Sequence, residues 1–88
     1  MNGIPEAEMQ DESAKALIAD HLAVGLDAVR DGASFEADLG ADSLDMIELA
    51  MRFEEELDIS IHDDEGEACE TVRDVLNLLH GKVLAKAV

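Results

Sequence analysis

Asp38-Leu39-Gly40-Ala41-Asp42-Ser43-Leu44-Asp45 decides how this chain is read. A glycine-containing loop runs straight into a helix, and a serine sits at the junction. Leu44, Ile47, Met51 and Leu57 recur at helical spacing, with no Gly or Pro between them. Asp42, followed three residues later by Asp45, reads as an N-cap with an acidic first turn. Ser43 is then the first helical residue, and its hydroxyl is left free. A helix N-terminus offers unpaired backbone N–H groups and a partial positive charge, so a phosphoester on Ser43 would be well placed. Asp42 and Asp45 would repel it, but both are expected to face water, which screens them. No base lies at a recognisable spacing, and no Gly-x-Ser-x-Gly elbow surrounds the serine. The motif alone leaves two readings of Ser43 open: a residue that carries something, or a plain helix cap.

Working outward, the pattern predicts an all-α fold, a small bundle of three longer helices and one short one, with a long loop between the first two. Residues 1–10, which contain Pro5, show little pattern and are expected to be a mobile tail. A first helix starts at Asp11 or Glu12, with Asp11 or Ser13 as its cap, and carries the stripe Ala14, Leu17, Ile18 and Leu22. Gly25 is expected to end it or to follow it closely. Across residues 24–42, Val24, Leu26, Val29, Phe35 and Leu39 are spaced like anchors that pin a long connection to the core. The second helix spans about Ser43 to Leu57. Ile59 and Ile61 follow in an extended link, and a short third helix spans about Asp63 to Cys69, weakened at Gly66. Thr71 is expected to cap a fourth helix with Val72, Val75, Leu76 and Leu79 on one face, closed by Gly81. The domain proper is thus residues 11–81, and residues 82–88 form a basic-apolar tail that either frays or extends the fourth helix.

The composition narrows the function. The 88 residues allow one domain, and an interior with no Trp or Tyr and only Phe35 and Phe53 must be aliphatic. The lone Cys69 cannot form an internal disulfide, and no apolar run suits a signal peptide or membrane span, so a cytoplasmic protein without stable membrane association is expected. The net charge is −16, and fourteen of the 22 acids lie between Glu36 and Glu70, with Arg52 as the one base there. Such a field rejects nucleic acid and favours encounter with proteins that present basic patches.

The opening octapeptide is followed by Ile47-Glu48-Leu49, Phe53-Glu54-Glu55-Glu56-Leu57, Ile59-Ser60-Ile61, Asp63-Asp64-Glu65 and Thr71-Val72. Together these resemble the acyl carrier proteins of bacterial dissociated fatty acid synthesis, over about residues 12–80. The resemblance implies a non-catalytic carrier with the same four-helix fold, monomeric, bearing 4'-phosphopantetheine from coenzyme A on Ser43. It implies as partners a phosphopantetheinyl transferase (holo-carrier synthase), fatty acid synthesis enzymes and acyltransferases with basic patches, and the acyl chains themselves. Residues matching the family's docking face are Leu44, Ile47 and Met51, ringed by Asp42, Asp45, Glu48, Glu54 and Glu55. Taken singly, each of those apolar residues reads more readily as core. Ile61 and Cys69 match positions beside the pocket that shelters the acyl chain. Cys69 stands where Ile or Val is usual, and His62 where proline is usual.

Asp42 and Glu54-Glu55-Glu56 favour the fatty acid type over peptidyl carriers, and a polyketide or other dedicated acyl pathway is the alternative. Two unrelated readings compete. An EF-hand calcium sensor fails, because placing Gly66 sixth in the loop puts Ile61 first and Val72 twelfth. An acidic mimic of nucleic acid fits the charge but leaves Leu39-Gly40-Ala41-Asp42-Ser43-Leu44 unexplained. No metal site is expected, since His21, His62 and His80 lack ligand spacing, although clustered carboxylates would hold divalent cations loosely. His21 and His80 are each expected near a helix C-terminus, and Arg52 is expected to pair with Glu48 or Glu56 along its own helix.

Overall fold

The computed structural model describes residues 6–87, with side chains described for 11–86. Four α-helices and one 3-10 turn follow in order: α1 Glu6–Leu22, the turn Leu26–Ala28, α2 Ser43–Leu57, α3 Asp63–Glu67 and α4 Val72–Ala87. Three long helices, one short helix and a long first connection match the expected all-α bundle. Among the described residues the β-type pairing is limited to an isolated bridge between Ser34 and Thr71.

The helix ends differ from the sequence reading in two places. Helix α1 already runs at Glu6, so Asp11 and Ser13 are interior and neither caps it. Asp11 instead meets His80 Nε2 on α4. The rest of the expected tail, residues 1–5, lies outside the described residues. Gly25 follows the end of α1 closely, one of the two placements expected, and the stop itself is made by Ala23 in the left-handed conformation (φ +57°), with the Val24 N–H donating back to the Ala19 carbonyl at 3.0 Å. Gly81 does not end α4, which continues to Ala87, so His80 sits mid-helix and the expected C-terminal tail is largely helix. The added turns have a purpose that local propensity does not reveal. Lys86 Nζ donates to the Leu57 carbonyl at 2.8 Å and lies 3.4 Å from the Asp58 carboxylate, so the end of α4 caps the end of α2.

The core draws on the three long helices and the long connection. Helix α1 gives Ala14, Ile18 and Ala19, α2 gives Leu49 and Phe53, and α4 gives Val72, Val75, Leu76 and Leu79. The long connection contributes Val29, Ala33, Phe35, Leu39 and Ala41. Three of its expected anchors are buried and Val24 is half-buried, but Leu26 is exposed. Ala33 and Ala41 escaped the sequence reading because small residues give no hydrophobic signal.

Hydrogen bonds explain why this connection is ordered. The N-terminal N–H groups of α4 need partners, and the loop supplies them: Val72 N–H donates to Ala33 O at 3.0 Å and Arg73 N–H to Asp31 O at 2.7 Å. Phe35 N–H returns the contact by donating to Glu70 O at 3.0 Å. Thr71 is the expected cap. Its Oγ1 accepts from Asp74 N–H, while Asp74 Oδ2 accepts from the N–H groups of Glu70 and Thr71. Those bonds hold the Asp74 carboxyl below its ordinary pKa. The loop thereby fixes the position from which α2 departs.

Candidate functional site

The site begins where the connection turns into α2. Ser34 N–H donates to Asp38 Oδ2 at 2.7 Å, and the N–H groups of Asp38 and Leu39 both donate to Ser34 O. Gly40 then reverses the chain at φ +69°, a conformation that costs other residues about 1 kcal/mol or more. Ala41 tucks into the core and donates to Phe35 O at 2.8 Å. Asp42 is the N-cap of α2: its Oδ1 accepts from Asp45 N–H at 2.9 Å, and Asp45 Oδ2 accepts from Asp42 N–H at 3.1 Å.

This reciprocal pair removes the cap reading of Ser43. The cap is Asp42, so Ser43 is not needed for it. Ser43 is exposed in the first helical position, and its N–H and that of Leu44 have no partner among the described residues. A phosphoester there would meet those two donors and the positive end of the α2 dipole.

Along α2 the side chains divide by face. Leu49 and Phe53 are each 3% exposed, whereas Leu44, Ile47 and Met51 are 60%, 55% and 58% exposed. The expectation that each of these three is core fails, because the spacing i, i+3, i+7 sets them on the opposite side from Phe53. Asp42, Glu48 and Glu55 stand exposed around this stripe, and Asp45 is half-buried in the capping pair. Glu54 is also half-buried, and its carboxylate accepts from Ile61 N–H at 2.8 Å, so it braces the α2–α3 link.

Arg52 does not pair along its own helix. It reaches across to α1, with Nη1 3.3 Å from Asp20 Oδ2 and 3.3 Å from His21 Nδ1. His21 Nε2 in turn lies 3.4 Å from Glu48 Oε1. His21, Asp45 and Glu48 offer ligand atoms within 4.8 Å of one another, a grouping that the linear spacing of three histidines could not reveal. Arg52 supplies the positive charge next to this group.

On the other flank of Ser43 a groove of about 710 Å³ runs between α2 and α3, touching Ser43, Met46, Ala50, Ile61, Gly66 and Cys69 among others. Ile61 and Cys69 both line this groove. Burial pushes the Cys69 thiol pKa up, and the Asp74 and Glu65 carboxylates push it further, so Cys69 is a wall residue and not a nucleophile. Its Sγ lies 3.5 Å from Glu65 O. Helix α3 rests on few supports. Lys82 Nζ on α4 holds Glu65 at 2.8 Å, which lowers the Glu65 pKa, and Glu65 Oε1 accepts from His62 N–H at 3.0 Å. His62 thus sits at the N-cap of α3 and is exposed.

Residues 12–79 match the family model described as a phosphopantetheine attachment site. The chain is also 49% identical over 74 residues to an acyl carrier protein of Thermosynechococcus vestitus (strain NIES-2133 / IAM M-273 / BP-1), covering 84% of this chain and 91% of the relative. The chain belongs to the acyl carrier protein family. As such it is a non-catalytic carrier whose domain bears covalent 4'-phosphopantetheine. The residues present fit that group. They offer an exposed hydroxyl, two unpartnered N–H donors beside it and an adjoining groove that leads toward apolar side chains. When bound, the group supplies the thiol on which carriers hold acyl chains as thioesters. The carrier's own residues cap the helix, aim the serine outward and line the groove. Among the described residues no helix is long and apolar enough to cross a membrane.

Proposed function

We propose that Ser43 is the attachment point and that the protein delivers acyl intermediates to the enzymes of fatty acid biosynthesis in the cytoplasm. The observation that carries this reading is the division of labour at the start of α2. Asp42 and Asp45 complete the cap, which leaves the Ser43 hydroxyl exposed. The transferase and the acyl-handling enzymes dock on Leu44, Ile47 and Met51, an apolar centre within an acidic rim, which suits fast and transient encounter with basic surfaces. Within that rim Asp42, Glu48 and Glu55 meet the partner directly, whereas Asp45 and Glu54 also serve the fold. Between encounters the acyl chain shelters in the groove beside Ile61 and Cys69.

The test is incubation with coenzyme A, Mg²⁺ and a phosphopantetheinyl transferase, followed by intact-mass analysis and peptide mapping. The expected result is one added phosphopantetheine, on the peptide that contains Ser43. Modification at any other residue would contradict the reading. Acyl groups found on the protein purified from its own cells would test the pathway: straight chains fully reduced beyond the β-carbon support fatty acid synthesis, and chains that retain keto or hydroxyl groups further along overturn it.

A further inference from the structure

We propose that Arg52 is a specificity-determining contact of the docking face: its guanidinium takes a carboxylate from the surface of an enzyme that handles this carrier, set between two basic side chains that meet Glu48 and Glu55. This rests on the docking reading of α2 given above. Asp45, Glu48, Arg52 and Glu55 follow one another at i, i+3, i+7 and i+10, and so share one side of α2. Contacts of this stripe with Asp20 and His21 show that it lies toward α1. The exposed residues Leu44, Ile47 and Met51 form a second stripe one position behind it. Arg52 is therefore a rim residue, and on this side the rim reads acid, acid, base, acid. Helix rise separates Arg52 from Glu48 by about 6 Å along the axis and from Glu55 by about 4.5 Å.

A lone cation in an acidic rim ordinarily pairs with acids on its own helix. Arg52 is kept from that by α1. Its Nη1 donates to Asp20 Oδ2 and to His21 Nδ1, each at 3.3 Å. His21 accepts at Nδ1 and turns Nε2 toward Glu48 Oε1 at 3.4 Å. All of this engages Nη1 alone. The other edge of the guanidinium, Nε with Nη2, has no partner among the described residues, and the side chain is 41% exposed. Two N–H groups side by side on a planar fork grip a carboxylate through parallel hydrogen bonds. With one corner already fixed to α1, less side-chain freedom is lost when they do so. An acid–base–acid order beside an apolar stripe fits a protein surface of base–acid–base order, and disfavours one with a base at the middle place.

The full chain serves as substrate for the phosphopantetheinyl transferase of its own cells and, once loaded, for the acyl-transferring enzymes of those cells. KM and kcat are measured for each enzyme at low salt. Were the rim to act by charge alone, Arg52→Glu would make it more acidic and lower KM. The proposal predicts the opposite: for at least one enzyme KM rises about fivefold, the upper range for an exposed ion pair, with kcat unchanged. Arg52→Lys keeps the charge but loses the paired donors, and is expected to give a smaller rise. Asp20→Asn loosens the join to α1 and leaves the Nε–Nη2 edge in place, so it is expected to raise KM less than Arg52→Gln does. A lower or unchanged KM of Arg52→Glu for every enzyme overturns the proposal. Equal effects of Asp20→Asn and Arg52→Gln assign Arg52 to the α1–α2 join and overturn it too. A chain that the transferase does not load at all overturns the attachment reading, whereas a normally loaded chain indifferent to Arg52 overturns this inference alone.

Discussion

Helices α2 and α3 border the same groove and are built in opposite ways. Helix α2 has fifteen residues, a reciprocal Asp42–Asp45 cap, two deeply buried side chains and a lysine from α4 closing its far end. Helix α3 has five residues, buries none of them, carries Gly66 in its interior and has no side-chain cap bond from His62. The contrast separates two requirements of a carrier. The serine must be presented at a fixed place, so its helix is over-determined. On the proposed reading the groove wall must let a chain in and out, and its helix is held by the Lys82–Glu65 pair, the Glu65–His62 bond, one Cys69 contact and the bracing of Ile61 by Glu54. Elements that move come from the weakly held end of the stability range.

The largest way to break this comparison is Phe53→Ala. Loss of a buried aromatic should cost about 3–5 kcal/mol, a large share of the roughly 5–15 kcal/mol typical of a domain. Urea titration should show the whole domain unfolding early, and a loss confined to the groove side would contradict a shared core. Next is Asp42→Ala. Removing the cap should cost about 1 kcal/mol and fray the first turn of α2, seen as faster amide exchange at Asp45 and Met46. Gly66→Ala acts on the other helix. It should slow exchange across α3, with a gain of up to about 1 kcal/mol, while α2 amides stay unchanged. Equal protection of the two helices in the unaltered protein would remove the contrast.

The smallest effect concerns pH. Asp31 is held below its ordinary pKa chiefly by its hydrogen bond with Lys15, Glu65 by that with Lys82, and Asp74 by the N–H groups of Glu70 and Thr71. A lowered folded-state pKa gives stability that is present above the ordinary carboxylate range and lost as pH falls through the folded value. Repulsion at net charge −16 acts the other way and eases on mild acidification. Stability should therefore rise from neutral pH toward the carboxylate range and fall below it. Asp74→Asn should flatten the acid side, measured as urea midpoints across the series; an unchanged acid slope would show that the capping bonds contribute nothing there.

Much of this was legible in the chain. Asp42 and Asp45 signalled the cap because capping is local chemistry, and Thr71 did so again at α4. What escaped was tertiary. The spacing of Leu44, Ile47 and Met51 marks them as one face, but only the position of Phe53 and Leu49 in the core shows that this face is turned outward. Gly81 looked like a stop, yet the contact of Lys86 with the end of α2 carries α4 past it. Arg52 had acids four residues away on both sides and took Asp20 and His21 on another helix instead. Helix α1 ran on before Asp11 because two plausible caps there were outweighed by continuation of the helix.

The central claim is that Ser43, freed from capping, is the single tether. The direct measurement compares intact masses of the unaltered chain and Ser43→Ala after incubation with coenzyme A, Mg²⁺ and a phosphopantetheinyl transferase, with circular dichroism showing that both are folded. The account predicts one phosphopantetheine on the first and none on the second. A folded Ser43→Ala chain that gains the group would contradict it.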